Sequence, residues 1–202
     1  DYFDYLTTSD SQLALAIGDV SGHGIGPAML MAETRAYLRI LTRNRNDLSL
    51  ILTRANTMVG EDVGEERFVT MLLAKLDPEK RTLVYASAGH SPAFILGSDG
   101  AVKSELRRTG MPLGVMQDAE YTVSKPLRLA KGDVLVLLTD GLEETANTEG
   151  ELFGVDRILQ AVHQNRQSKA AKIVESVFET LKDFSGNPEQ VDDLTMIVAK
   201  AE

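Results

Sequence analysis

The sequence predicts an α+β fold in which antiparallel sheets carry pairs of helices on their outer sides. Its 202 residues fit one domain, and 43% hydrophobic with 25% charged residues is the mixture of an ordinary globular protein. The predicted helices come in pairs, with about six strands between the pairs. A doubly wound parallel sheet would alternate single helices with strands, so this order favours antiparallel sheets.

The first part of the chain is predicted to contain two strands followed by two helices. The predicted ranges are residues 1–5 and 12–18 for the strands, and residues 27–44 and 48–63 for the helices. A glycine-rich loop over residues 18–26 leads into the first helix, and Pro27 suits its first turn because proline has no N–H to satisfy there. Asp47 is the predicted N-cap of the second helix.

A block of strands follows, and the chain then ends with two helices and a last strand. Short polar turns such as DPEK and SDG separate apolar runs of strand length. The predicted strands cover residues 67–76, 82–89, 92–97, 121–129, 133–140 and 194–200, and the predicted helices cover residues 153–164 and 168–184. A loop over residues 185–193 joins the last helix to the last strand.

The composition excludes several classes of function. The chain has no cysteine, which removes disulfides, zinc–thiolate sites and cysteine nucleophiles. With 30 acidic and 21 basic residues the net charge is −9, which argues against nucleic acids and anionic membranes as partners. The longest apolar run is far shorter than the ~20 residues that span a bilayer. We therefore expect a soluble cytoplasmic domain, and the opening without methionine indicates a piece of a longer protein.

Aspartates stand at the ends of predicted strands, next to glycines or short loops. They are Asp1 in DYFD, Asp19 in AIGDVSGHG, Asp140 in VLLTDG, and Asp192 and Asp193 in VDDLT. A carboxylate at the end of a buried strand is costly unless it is paired, solvated or bound to a cation, and these segments contain no lysine or arginine. Taken singly, each segment is explained by a turn, a solvated loop or a generic anion site. Together they favour a site for Mg²⁺ or Mn²⁺, which prefer oxygen ligands.

The order and spacing of these motifs resemble the metal-dependent PPM family of protein serine/threonine phosphatases. Further matching motifs are AGHSPAF at 88–94, GMPLG at Gly110–Gly114 and ELFG at 151–154. DVSGHG followed by a helix rich in methionine and alanine is similar to the bacterial stage II sporulation protein E branch, which regulates sigma factors. The resemblance implies one domain over residues 1–202 with a four-layer αββα sandwich that lacks the family's first strand.

The resemblance also implies a site for two Mn²⁺ or Mg²⁺ ions. Its matching residues are Asp1, Asp19, Val20, Asp140, Asp192 and Asp193. Asp19 matches the residue that bridges both metals, with the backbone carbonyl of Val20 as a further ligand. Asp192 matches the last ligand, and the neighbouring Asp193 is the alternative. Asp1 matches the first aspartate of the G-G-D-x-x-D motif, whose glycines are absent here.

The expected reaction is hydrolysis of phosphoserine or phosphothreonine on a partner protein by a metal-activated water, without a covalent phosphoenzyme. The resemblance implies an anti-sigma factor antagonist as the substrate and an N-terminal sensor or receiver domain in the full-length chain. Homodimerisation stays open. His23, beside Asp19, either orients water or only packs in its loop, and we interpret His90 as a residue that stabilises its loop.

Two alternative functions stay open at this point. The first is a degenerate PPM domain that binds its partner without catalysis. The second is a haloacid-dehalogenase-type phosphatase, suggested by a hydrophobic strand followed by TDG. That enzyme class needs an Asp-x-Asp motif at a strand end, and none precedes TDG in this sequence.

Overall fold

The computed structural model describes residues 1–63, 67–186 and 192–202. The strands are β1 (Tyr2–Thr7), β2 (Leu13–Val20), β3 (Val69–Asp77), β4 (Thr82–Ala88), β5 (Ala93–Leu96), β6 (Val102–Leu106), β7 (Leu127–Arg128), β8 (Val134–Leu138) and β9 (Met196–Lys200). The helices are α1 (Ile25–Asn44), α2 (Leu48–Asp62), α3 (Asp140–Glu144), α4 (Gly154–Asn165) and α5 (Ala170–Ser185). Every pairing between these strands is antiparallel, so the predicted α+β class is confirmed.

The chain folds as two compact units, each with one sheet and its own helices. The first unit comprises Asp1–Ser91 and Arg107–Leu129, and the second comprises Pro92–Leu106 and Ala130–Glu202. The structure thus contains the two antiparallel sheets and the two helix pairs that the predicted αββα arrangement requires. The organisation of residues 1–202 as a single domain stays a prediction.

The first unit contains a five-stranded sheet in the order β1-β2-β3-β4-β7. Side chains in a strand point alternately to the two faces of the sheet. Ala16 and Val20 of β2 therefore pack in one apolar cluster with Leu38 of α1 and Leu52 of α2. Asp19 occupies an alternate position along β2, so its side chain is on the opposite face of the sheet from this helix pair.

The helices of the first unit begin at or near their predicted N-termini. The Asp47 carboxylate accepts hydrogen bonds from the backbone N–H groups of Ser49 and Leu50 at 2.9 and 3.4 Å, which confirms the predicted N-cap of α2. α1 begins at Ile25, two residues earlier than predicted, and Pro27 still falls in its first turn. Among the described residues, no helix is both long and apolar enough to cross a membrane.

The second unit contains a four-stranded sheet in the order β6-β5-β8-β9. All five residues of β8 are buried, so this strand is the centre of the unit. Its side chains share an apolar cluster with Phe153, with Ile158 of α4 and with Val177 of α5. Both helices of this pair lie within one residue or two of their predicted ranges.

The main differences from the prediction are at residues 121–129 and at the TDG motif. The strand predicted over residues 121–129 is wrong for most of its length, because only Leu127–Arg128 pairs with β4. The preceding segment is held by isolated contacts instead: Ser124 N–H donates to the Tyr85 carbonyl at 2.8 Å, and the Tyr121 hydroxyl donates to Asn56 Oδ1 at 3.2 Å. The short helix α3, which the sequence did not predict, starts in the TDG motif at Asp140.

Asp4 ties the edge strand β1 to α1. Its carboxylate accepts hydrogen bonds from Arg39 Nε at 2.6 Å, from Arg39 Nη2 at 2.9 Å and from the Tyr2 hydroxyl at 2.9 Å. Burial alone would raise the pKa of Asp4, but the hydrogen bonds from Arg39 and Tyr2 outweigh it and hold that pKa below its ordinary value. The ionised form of Asp4 therefore stabilises the folded first unit.

We expect Asp4→Asn to lower the free energy of unfolding by about 1.5–3 kcal/mol at neutral pH, the range for hydrogen bonds to a charged group. Because the pKa of Asp4 is lowered by folding, this stabilisation is complete above the unfolded pKa of about 3.9 and is lost as the pH falls through the folded value. Urea unfolding of parent and variant at several pH values measures the difference. An unchanged difference on acidification would contradict the assignment, and Asp118→Asn, at an exposed aspartate, is the control.

Candidate functional site

The end of β2 places Asp19 next to the start of β1. Antiparallel pairing sets Tyr2 opposite Gly18, so Asp1 lies beside Asp19. The backbone nitrogen of Asp1 is 3.8 Å from Asp19 Oδ1, and the two side chains are 8% and 26% exposed. The first unit therefore brings together two of the predicted metal ligands.

Close approach of β2 and β3 requires a glycine directly before Asp19. A Cβ atom on Gly18 would lie 2.5 Å from the backbone oxygen of Thr70 and 2.5 Å from the Met71 side chain. After Asp19, the Val20 side chain is buried in the apolar cluster that contains the helices. Val20 thus anchors the strand end, while Asp19 is presented on the other face.

The segment between β2 and α1 is a tight loop fastened to the start of β3. Gly22 and Gly24 have φ values of 85° and 96°, a backbone conformation that favours glycine. Ser21 N–H donates to the Phe68 carbonyl at 3.0 Å, and Phe68 N–H donates to Ser21 Oγ at 3.0 Å. The Arg67 guanidinium lies against the first turn of α1, because a Cβ on Gly26 would be 2.8 Å from its Nη1. His23, in this loop, is exposed.

A hydrogen bond links the AGHSP motif to this corner of the sheet. His90 is 2% exposed, and its Nδ1 lies 2.8 Å from Thr70 Oγ1. Thr70 Oγ1 in turn donates to the backbone oxygen of Asp19 at 3.4 Å. The sequence reasoning missed Thr70, although a threonine inside the apolar run VTMLLA is a visible signal.

In the second unit, Asp140 comes two residues after the end of β8, near the start of β9. Leu138 pairs with Met196, Thr139 N–H donates to the Thr195 carbonyl at 3.1 Å, and Thr195 N–H donates to Thr139 Oγ1 at 3.2 Å. These bonds fix the backbone that leads into Asp140. Its carboxylate is half-buried and has no hydrogen bond or ion pair within the residues that the structure describes.

Gly141 allows the segment before β9 to approach Asp140. A Cβ on Gly141 would lie 2.2 Å from the backbone oxygen of Asp193. Asp192 and Asp193 are both exposed, and Asp192 Oδ1 accepts a hydrogen bond from Asp193 N–H at 2.8 Å. The second unit therefore brings Asp140 together with the Asp192–Asp193 pair, and the choice of ligand between those two acids stays open.

The predicted ligands are carboxylate and carbonyl oxygens, with no sulfur donor among them. This donor chemistry fits Mg²⁺ or Mn²⁺. The structure groups the ligands within each unit, Asp1 with Asp19 and Asp140 with Asp192–Asp193. Over residues 1–63, 67–186 and 192–202, no three or more His, Asp or Glu side chains stand close enough together to hold an ion. A single cluster of all these acids stays a prediction.

We expect Gly141→Ala to lower the free energy of unfolding by about 1–3 kcal/mol, because the new methyl group meets backbone that cannot move away freely. Chemical denaturation measures the change. Gly60→Ala is the matched control, since nothing lies within 4 Å of a Cβ at that helical glycine. It should raise stability by about 0.5–1 kcal/mol through helix propensity. A Gly141→Ala variant as stable as the parent would contradict the tight approach of the Asp193 carbonyl.

Sequence comparison identifies relatives along almost the whole chain. The family model of the Stage II sporulation protein E (SpoIIE) matches residues 9–202. Phosphoserine phosphatase RsbU of Bacillus subtilis is 30% identical over 203 residues, which cover 99% of this chain and 58% of RsbU. The chain thus spans a little more than half of that relative.

Solved structures share the fold. The SiaA-PP2C domain of Pseudomonas aeruginosa matches with a TM-score of 0.85 and 22% identity, over 100% of this chain and 79% of that one. The PP2C phosphatase domain of SpoIIE from Bacillus subtilis, solved with a fragment of its regulatory domain, matches with a TM-score of 0.80 and 19% identity, over 98% of this chain and 57% of that one. With the family match over residues 9–202, these comparisons show that the chain belongs to the stage II sporulation protein E family.

Proposed function

We propose that this chain is a metal-dependent phosphatase that hydrolyses phosphoserine or phosphothreonine on a partner protein. The observation that carries the proposal is the placement of Asp19 near the end of β2 and of Asp140 two residues after β8, each beside a second acidic residue. Membership of the SpoIIE family supports it, as does the name of RsbU, a phosphoserine phosphatase.

The residues that would hold Mn²⁺ or Mg²⁺, two ions in the family's pattern, are Asp1, Asp19, the Val20 carbonyl, Asp140 and either Asp192 or Asp193. When bound, such ions lower the pKa of a coordinated water and neutralise charge on phosphoryl oxygens. The chain itself fixes the ligands in place. Gly18 lets the strands approach closely at Asp19, and the Thr139–Thr195 hydrogen bonds hold the backbone at Asp140.

The chain also has to admit a phosphorylated residue and supply no competing nucleophile. In the loop beside Asp19, Gly22 and Gly24 carry no side chains, and the exposed His23 lies between them. The absence of cysteine excludes a thiolate nucleophile, which is consistent with water as the proposed attacking group. Direct attack by water needs no covalent phosphoenzyme.

We further propose that the substrate is a phosphorylated regulatory protein of the anti-sigma antagonist type. The family match supports this assignment. A sensor or receiver domain N-terminal to this chain is part of the same proposal, since the chain spans only 58% of RsbU. Cytoplasmic location and homodimerisation stay proposals of the same kind.

Metal dependence tests the proposed function directly. The protein should hydrolyse p-nitrophenyl phosphate and a phosphoserine protein with Mn²⁺ or Mg²⁺, lose this activity with EDTA, and regain it when the metal is restored. Full activity in excess chelator would contradict the metal mechanism. Tight partner binding without turnover would favour the degenerate, non-catalytic domain instead. Much faster hydrolysis of a nucleotide or sugar phosphate would contradict a phosphoprotein substrate.

Asp19→Asn tests the central ligand. The substitution keeps the side chain's size but removes a negative charge, so we expect kcat to fall at least ~10²–10³-fold, the range for a lost electrostatic stabiliser. The metal-free variant should melt no lower than the metal-free parent, because the change relieves repulsion with the Asp1 carboxylate. Steady-state kinetics and thermal melting measure these effects, with Asp118→Asn as the control. Retained activity would show that Asp19 only forms the turn.

A further inference from the structure

His90 is a buried imidazole that the proposed reaction does not use. It is 2% exposed and follows Gly89, which has a φ of 67° after the end of β4. Burying an imidazole costs free energy unless its nitrogen atoms form hydrogen bonds. The 2.8 Å contact between His90 Nδ1 and Thr70 Oγ1 provides one such bond, and it directs the imidazole toward the edge of the candidate site.

Thr70 stands between His90 and the backbone of Asp19. The register of β2 and β3 pairs Asp19 with Thr70, so their side chains share one face of the sheet. Thr70 Oγ1 donates to the Asp19 carbonyl oxygen at 3.4 Å, while its other contact is the His90 ring at 2.8 Å. One hydroxyl therefore connects a buried side chain to the residue at the end of β2.

The single proton of the hydroxyl sets the direction of these bonds. When Thr70 gives its proton to the Asp19 carbonyl, its oxygen can only accept from the imidazole. His90 must then carry a proton on Nδ1. In that arrangement the hydrogen bonds run from His90 Nδ1–H to Thr70 Oγ1–H to the Asp19 carbonyl.

We propose that Thr70 and His90 are positioning residues that fix the peptide between Asp19 and Val20 for metal binding. The inference rests on the proposed function, since the two residues joined by that peptide carry the proposed ligands, Asp19 its side-chain carboxylate and Val20 its own carbonyl in the following peptide. The β2–β3 pairing and the buried Val20 side chain hold this strand end, and Thr70 Oγ1 adds a side-chain contact to the Asp19 carbonyl itself. Hydrogen bonds behind a ligand orient it without touching the metal or the substrate.

Thr70→Val tests the inference because valine keeps the shape of threonine and removes the hydroxyl. We expect Mn²⁺ affinity, measured by calorimetry on the full chain, to fall about 10–100-fold, the usual effect of losing a hydrogen bond behind a metal ligand. Thr70→Ser, which restores the hydroxyl, should recover the parental affinity. Thr82→Val is the matched control, at a half-buried threonine of β4 away from Asp19.

A pair of substitutions at His90 gives a second test if Thr70→Val does not fold. Asn can place an amide N–H near the position of Nδ1, whereas Gln places its amide near Nε2. His90→Asn should therefore keep Mn²⁺ affinity close to that of the parent, and His90→Gln should weaken it as Thr70→Val does. Melting of the metal-free variants shows whether folding is affected separately from metal binding.

The outcomes separate this inference from the proposed function. Thr70→Val with parental Mn²⁺ affinity, in a parent that binds the metal and hydrolyses phosphoprotein, would overturn the positioning role alone. A loss of melting temperature without a loss of metal affinity would also overturn it, since His90 and Thr70 would then only stabilise the fold. A parent that binds no Mn²⁺ would overturn both. Weaker binding at an unchanged metal-free melting temperature, rescued by serine, would support it.

Discussion

The antiparallel pairing of β2 with β3 determines where the first unit presents its chemistry. Both faces of β2 are buried, so apolar pattern alone gives little preference for one register over the next. Gly18 supplies the missing restraint, because only a residue without Cβ tolerates the Thr70 backbone oxygen at that point. A slip by one residue would also turn Asp19 toward the apolar cluster of the helices, where an ionised carboxylate is costly. The same register that buries Val20 therefore exposes Asp19.

The parts of the fold that the sequence predicts are those with local causes. Asp47 caps α2 by accepting hydrogen bonds from residues only two and three positions later in the chain. A short sequence pattern is therefore enough to predict this N-cap. The β propensity of segment 121–126 predicts a strand, whereas the segment contacts residues far away in the sequence, Asn56 through Tyr121 and Tyr85 through Ser124. Asn56 Nδ2 donates to the carbonyls of Met116 and Gln117, and no local pattern reports such contacts.

The features of the candidate site also separate into local ones, which the sequence indicates, and contacts between distant residues, which it does not. The predicted ligands include aspartates in short motifs at strand ends, which are visible in the sequence alone. The partners that hold those motifs are distant: Thr70 is 51 residues from Asp19, and His90 is 20 residues from Thr70. The loop 187–191 before Asp192, which the sequence analysis placed in the stretch 185–193, lies outside the described residues. Proximity between distant residues comes only from the sheet register, which the sequence alone does not provide.

The acidic residues of this chain separate into two groups by their partners. Asp4 pairs with Arg39, and Asp133, 3% exposed, pairs with Lys103 Nζ at 2.5 Å and accepts from Ala130 N–H at 2.8 Å. A buried carboxylate with a cation of the protein beside it is already neutralised and serves the fold.

Asp140 belongs to the other group. It is half-buried at the end of an entirely buried strand, and no lysine or arginine pairs with it within the part of the chain that the structure describes. A cation from solution that binds such a carboxylate favours the folded state over the unfolded one. Metal binding would then stabilise the same strand ends that position the ligands, so the charge that makes the metal-free site costly is also the source of its affinity.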